Sequence, residues 1–250
     1  MPKDTSWGAV SEWYDSYLES EEDSYQKKVI LPNLLRLMDI KKGQAILDLA
    51  CGSGFFTREF QKAGARVIGS DISKELLKIA ARDSDKSITY VQAPAEKLPF
   101  QREQFDSISL VLALQNIRGV KESIEECNRV LKSKGRFFTV LNHPAFRMPK
   151  GSSWGFNTKD GKMYRRIDYY MKEAEVPISM HPGEGKKETT VSFHRPLQYY
   201  TKFFSKSGFV ITRLEEWISH KKSEPGPRQK EEDRIRKEIP LFLALELTKL

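Results

Sequence analysis

The 250-residue chain is expected to fold as an α/β protein, a doubly wound parallel sheet of seven strands with helices on both faces and an insertion after the fifth strand. Three observations carry that expectation. The short apolar run Ala45-Ile46-Leu47-Asp48-Leu49 reads as a buried parallel strand, and the small, glycine-bearing turn Ala50-Cys51-Gly52-Ser53-Gly54 leads from it into a helix starting near Phe55. From there to Leu141 apolar runs alternate with stretches of helical spacing, and the alternation resumes at Leu197. Between them, Asn142 to Arg195 breaks the rhythm and is too long to be a passive loop in a compact domain.

The elements follow in order. Trp7 to Asp39 begins aromatic and acidic, then turns apolar at helical spacing through Val29, Ile30, Leu34, Leu35 and Leu37, which predicts one or two helices ahead of the sheet. Pro32 suits a helix start or kink, and Lys41-Lys42-Gly43 punctuates the entry into the first strand. Gly64 ends the helix after the turn, Ala65 to Asp71 is the second strand, and Ser73 is placed to cap a helix running to Ala81. Ile88 to Gln92 and Phe105 to Ala113 form strands three and four, a helix spans about Lys121 to Leu131, and Arg136 to Leu141 is strand five. Within the insertion, Tyr164 to Tyr170 and Thr189 to His194 have strand character. Leu197 to Ser207 is helical, Phe209 to Trp217 is strand six, Ser219 to Glu238 is a charged loop with a short helix, and Leu241 to Leu247 is the last strand.

Composition fits a single domain spanning 1–250, with an N-terminal helical lid over 1–40 and a substrate cap formed by 142–195. An apolar content of 39% with 30% charged residues is ordinary for a soluble protein, and no run approaches the roughly 18 apolar residues of a membrane span. Met1 to Ser20 lacks the basic start and apolar centre of a signal peptide, so a cytoplasmic location without membrane attachment is expected. The two cysteines, Cys51 and Cys127, are placed too differently for a disulfide or a metal site. The net charge of +8 admits a polyanionic partner such as RNA, or simply a basic solvated surface. Half of that excess lies between His143 and Arg195, where 10 Lys/Arg face 6 Asp/Glu.

The turn narrows the cofactor. A dinucleotide site prefers G-x-G-x-x-G, whereas the run from Gly52 is Gly-Ser-Gly-Phe-Phe-Thr, without the third glycine. Asp48 before the turn puts a carboxylate where phosphate would be repelled and a cationic sulfonium nucleoside would not. Asp71 lies at the end of the neighbouring strand, where an acid can accept both ribose hydroxyls. The plainer readings are a buried capping carboxylate for Asp48 and a helix N-cap for Asp71.

Ile46 to Phe100 resembles the class I S-adenosylmethionine-dependent methyltransferases, in particular uncharacterised bacterial members of the type 11/25 kind. Their strand-one motif D-x-G-x-G-x-G is matched by Asp48 and Cys51-Gly52-Ser53-Gly54 and departed from at Ala50. Ala95 to Phe100 and Phe105-Asp106 are similar to the family's adenine-side loop and fourth strand, with Pro94 where an acid is common. The resemblance covers about Trp7 to Leu141 and Leu197 to Leu250. It implies an antiparallel last strand, hence a mostly parallel sheet, and S-adenosyl-L-methionine as cofactor with S-adenosyl-L-homocysteine as product. Carried onto this sequence, the cofactor contacts are Asp48, Ala50, Cys51, Gly52, Gly54, Asp71, Ile72, Ala95 and Glu96. Tyr17 and Tyr25 join them because the family's leading helix often folds over the cofactor.

Methyl transfer requires an aligned nucleophile, exclusion of water and often a base. Base candidates are His143, at the end of strand five, and His181 and His194. Asn116 (with Gln115 beside it), Arg147, Tyr164 and Arg195 are candidate acceptor contacts, the arginines by pairing a carboxylate or phosphate, unless they pair with local acids. Residues 112–115, Leu-Ala-Leu-Gln, lack the Asp/Asn-Pro-Pro-aromatic motif of enzymes that methylate exocyclic or amide nitrogen. Three functions stay open: a small-molecule methyltransferase, an RNA or protein methyltransferase gripping its polymer with the basic insertion, and a non-catalytic cofactor-binding module.

Overall fold

The computed structural model describes residues 21–179 and 189–250, so Tyr17 and His181 lie outside the described residues. A π-helical turn, Gln26–Ile30, runs into α1, Leu31–Met38. Pro32 falls in the first turn of α1, and its missing N–H removes one α-helical bond at the place where the wider register is used. Strands β1 (Ala45–Leu49), β2 (Arg66–Asp71), β3 (Thr89–Gln92), β4 (Phe105–Val111) and β5 (Leu131–Asn142) alternate with helices α2 (Phe55–Lys62), α3 (Lys74–Arg82) and α4 (Val120–Val130). Two hairpins follow, β6 (Ser152–Asn157) with β7 (Lys162–Ile167) and β8 (Ala174–Ser179) with β9 (Thr189–His194). The sheet is completed by α5 (Leu197–Lys206), β10 (Phe209–Trp217), α6 (Gln229–Glu238) and β11 (Phe242–Lys249).

The seven-stranded sheet has the order β10-β11-β5-β4-β1-β2-β3, with β11 antiparallel to both neighbours and the other six strands parallel. Strand order reverses at β1, which pairs β2 on one side and β4 on the other, and ligands of such sheets bind in the crevice beyond the C-terminal strand ends at that point. Each face is buried under helices. On one, Leu47, Ile108 and Leu110 pack with Ile124 of α4 and Tyr200 and Phe204 of α5; on the other, Ile46, Val67 and Val140 pack with Leu34 and Met38 of α1 and Phe60 of α2. Each such side chain contributes about 1.5–3 kcal/mol by leaving water. No helix among the described residues is long and apolar enough to cross a membrane.

Several boundaries differ from expectation for identifiable reasons. β4 stops at Val111 because Leu112 turns left-handed at φ 53°. β5 starts early, at Leu131, with Lys134 left-handed at φ 61° where the pairing with β4 shifts register. β7 ends before the expected Tyr170, at Ile167, and Tyr169 is left-handed at φ 56°. β6 and β8 are additional: Gly155 and Pro177 mask their strand character, and Pro177 is tolerated because a two-stranded hairpin leaves its strands at an edge.

Candidate active site

The turn after β1 is a run of left-handed residues, Ala50 at φ 54°, Gly52 at φ 57° and Gly54 at φ 79°. Glycine adopts this conformation without penalty; Ala50 does so at a cost of about 1–2 kcal/mol, which is where the departure from the glycine motif is felt. The turn is held to β2 by Cys51 N–H donating to the Ser70 carbonyl at 3.0 Å and by Gly52 N–H donating to Asp71 Oδ2 at 2.9 Å. Asp71 Oδ1 accepts the Ser73 N–H at 2.8 Å. Ser73, not Asp71, caps α3, its hydroxyl accepting from Leu76 N at 3.2 Å. The acid is therefore a clasp between the turn and the end of β2, and the helix-cap reading of Asp71 is replaced.

Asp48 is buried under the turn and accepts a 2.5 Å hydrogen bond from the Thr57 hydroxyl in the first turn of α2. Burial pushes its carboxyl up to about 7, against the lowering effect of the Thr57 bond. Burial also raises the Cys51 thiol well above its ordinary value, with Asp48 and Asp71 adding repulsion, so Cys51 is no nucleophile at neutral pH. Because the ordinary Asp48 value of 3.8 is lower than its folded one, the unfolded chain releases this proton first. Stability of the ligand-free protein should accordingly fall as pH rises from about 4 to about 7. Asp48→Asn, which keeps an acceptor for Thr57, should lose that slope, so that its melting advantage over the natural chain grows through this window and is level above it. Parallel melts from pH 4 to 8 measure this, and curves that stay a constant distance apart would refute it.

The other cofactor-side candidates lie close along the rim. Ile72 follows Asp71, and its carbonyl accepts from Gln92 Nε2 at 3.0 Å. Ala95 is buried in the loop after β3, and Glu96 Oε1 accepts from Gly119 N at 3.4 Å, tying that loop to the start of α4. The ring of Tyr25 meets Phe242 of β11 at 5.7 Å and His220 at 5.3 Å, and its hydroxyl meets Ser219 at 3.2 Å.

A small open pocket of about 30 Å³ lies beyond the C-terminal ends of β4 and β5, of which β4 is the neighbour of β1 in the sheet. Gln115, Asn142, Arg147, His194, Arg195 and Tyr200 contribute to its lining. β9 forms one wall, so the insertion covers this part of the rim. Gln115 is held by its Nε2 donating to the Leu112 carbonyl at 2.7 Å, the residue whose left-handed turn ends β4. Asn116 reaches the same carbonyl at 3.4 Å but is not part of the lining.

The histidines separate. His143 Nδ1 accepts the Ala145 and Phe146 N–H groups at 3.2 and 3.3 Å, so Nε2 carries the proton and donates to Glu216 at 2.8 Å. Burial lowers its pKa despite Glu216. With both nitrogens committed to the turn after β5, His143 is a structural residue, and its assignment as base is corrected. His194 Nε2 faces the Tyr170 carbonyl at 2.7 Å, and since a carbonyl only accepts, the proton is on Nε2 and Nδ1 is the basic atom. Tyr164 is half exposed on the β6–β7 hairpin, its ring over Gly155, and does not line the cavity; its assignment as an acceptor contact is also corrected. Arg195 donates to the carbonyls of Ile117 and Arg118 at 2.9 and 3.1 Å. Asn142 and Tyr200 were not anticipated. Asn142 was within reach of sequence reasoning as the residue just past the expected strand five, whereas nothing local marks Tyr200, a core residue of α5 whose phenol burial raises to about 12.

Among comparisons with known proteins, a family model described as a methyltransferase domain matches residues 47–139. The ubiquinone/menaquinone biosynthesis C-methyltransferase UbiE of Psychromonas ingrahamii is 33% identical over 162 residues, covering 58% of this chain and 63% of that protein. A crystal structure of an S-adenosylmethionine-dependent methyltransferase from Mesorhizobium loti superposes with TM-score 0.68 at 28% identity, covering 87% of this chain and 96% of that one. A putative S-adenosylmethionine-dependent methyltransferase from Listeria monocytogenes gives the same TM-score of 0.68 at 25% identity, covering 88% and 96%. A mixed sheet in this order with a clasped left-handed turn at the β1 switch point defines a Rossmann-like nucleoside-binding protein. These likenesses support a class I S-adenosylmethionine-dependent methyltransferase, with S-adenosyl-L-methionine as cofactor. The chain spans less than two thirds of the length of the curated UbiE relative.

The turn suits that cofactor. Ser53 Oγ is buried there without a hydrogen-bond partner among the described residues, and the glycines keep Cβ atoms away from the main chain where a ligand must approach.

Proposed function

We propose that this protein transfers a methyl group from S-adenosyl-L-methionine to a small-molecule acceptor held in the rim cavity, leaving S-adenosyl-L-homocysteine. The observation that carries this reading is the position of the small pocket: it opens beyond the C-terminal ends of β4 and β5, β4 being the neighbour of the strand that carries the cofactor turn, under a wall of the insertion. The cofactor supplies an already activated methyl group. The chain's task is then to align an acceptor atom with it, exclude water and take up a proton where the acceptor carries one. In this reading β9 and the other described residues of 142–195 form the cap, Gln115 and Asn142 orient the acceptor, and His194 Nδ1 is the base. The name of the relative UbiE, a C-methyltransferase of quinone biosynthesis, supports a small acceptor and adds carbon to the candidate target atoms.

The distribution of charge favours a small acceptor over a polymer. Arg147 and Arg195 of the basic insertion line the cavity, Arg165 is taken up by the Phe146 carbonyl and Ser152, and Arg166 pairs with Asp168 at 2.8 Å. That leaves fewer cations for a phosphate backbone. Incubating the protein with methyl-labelled cofactor and fractionated cell extract should put label into the small-molecule fraction. Label in RNA or protein would replace this reading, and S-adenosyl-L-homocysteine binding without label transfer to any fraction would make the chain a binding module.

A further inference from the structure

Charge in the rim cavity is unbalanced. Among the described residues that line it, two are arginines and none is acidic. Arg195 is satisfied by the Ile117 and Arg118 carbonyls and by the rings of Phe193 and Tyr199, at 4.5 and 5.2 Å. Arg147 is not satisfied in this way. Its backbone N–H bonds the His143 carbonyl at 2.9 Å, but its guanidinium has no hydrogen bond or ion pair among the described residues. Its neighbour is the face of Phe242, 5.2 Å away, an interaction that leaves the hydrogen-bonding edge of the fork unused. Burial is the main cause that lowers its pKa, and Arg165 adds like-charge repulsion that the nearby Tyr25 opposes. A half-buried cation without a counter-charge is costly and is seldom kept unless a ligand completes it.

A second group in the same cavity is equally incomplete. Gln115 is only 8% exposed, and its Oε1 has no partner among the described residues, although its Nε2 is fixed on Leu112. A buried amide oxygen in that state calls for a donor. The cavity therefore presents an unused cationic fork and an unused acceptor.

We infer that the acceptor is a small carboxylic acid that also carries a hydroxyl or N–H donor, its carboxylate docking on Arg147 and its donor on Gln115. This rests on the proposed methyltransferase reading and names the substrate class for it. A carboxylate fits the planar guanidinium by two parallel hydrogen bonds, and its single charge matches the one arginine of the described lining that lacks a hydrogen bond or ion pair. Arg147 and Gln115 act here as specificity determinants, since an uncharged analogue would leave both the guanidinium and the cavity as they are.

Calorimetric titration of the full chain, saturated with S-adenosyl-L-homocysteine, with 3-hydroxybenzoate and with its uncharged amide 3-hydroxybenzamide tests the inference. The acid should bind at least about tenfold tighter than the amide, the effect expected of a hydrogen-bonded charge pair. Arg147→Gln should remove that preference while S-adenosyl-L-homocysteine binds as before. Equal binding of acid and amide to the natural chain, or a preference that survives Arg147→Gln, would overturn the anion site. Should Arg147→Gln not fold, Arg147→Lys decides: weaker acid binding with unchanged amide binding supports the inference, and unchanged acid binding defeats it. Binding of S-adenosyl-L-homocysteine is read on the same samples, so failure of the cofactor site is distinguished from failure of the acid site.

Discussion

Asp71→Ala is expected to weaken binding of S-adenosyl-L-homocysteine by at least about a hundredfold, close to 3 kcal/mol. Two effects act together. In the proposed site the carboxylate at the end of β2 meets the cofactor, and it also accepts from Gly52 N at 2.9 Å and Ser73 N at 2.8 Å, bonds of about 1.5–3 kcal/mol each to a charged group. Without it the Gly52 amide loses its acceptor and the left-handed turn loses its tie to β2. Asp71→Asn keeps one oxygen for one of those amides but presents an NH₂ to the other, so its affinity should fall between the two. Calorimetry measures binding, and circular dichroism with melting curves establishes that each variant is folded. A folded Asp71→Ala protein that binds with natural affinity would remove Asp71 from the site.

Most of the sheet was legible because its signals are local. Apolar runs of five to seven residues, glycines after helices and Ser73 before α3 each report a choice made within one turn of chain. β9 and β10 have the bounds their sequence predicts. What was hidden depends on neighbours distant in sequence. β6 carries Gly155 because the ring of Tyr164 on β7 lies against it, and β8 carries Pro177 because no third strand needs its N–H. Taken alone, both residues argue against a strand.

The site divides along the same line. Asp48, the turn and Asp71 are contiguous with strand ends, so the spacing of residues gives their placement. The cavity is assembled from the ends of β4 and β5, from β9 and from α5, and no spacing relates Gln115 to Arg195 or Tyr200. Histidine count was equally uninformative. His143 and His194 share a residue type, and they differ only in partners: two backbone amides and Glu216 for one, a single carbonyl for the other.

Gly54→Ala should destabilise the protein by about 2–4 kcal/mol, lowering its melting temperature by roughly 5–15 °C. Gly54 is left-handed at φ 79°, which costs an alanine about 1–2 kcal/mol. A Cβ there would also come within 2.5 Å of the Tyr90 hydroxyl, 3.1 Å of its Cζ and 3.0 Å of Ala80 Cβ. Tyr90 cannot easily withdraw, because its ring lies against Gly69 of β2, where a Cβ would meet it at 2.6 Å, and its hydroxyl bonds Ser84 at 2.7 Å. The aromatic ring thus rests on two stretches of bare backbone, one in β2 and one in the turn, and sets the height of the turn above the sheet. Tyr90→Phe removes the atom nearest the new methyl, so in that background Gly54→Ala should cost less, with the left-handed contribution remaining. A double-mutant cycle from denaturant melts gives the coupling. An identical cost in both backgrounds would show that Tyr90 does not shape the turn, and cofactor affinity should recover in the double variant only as far as the turn regains its position.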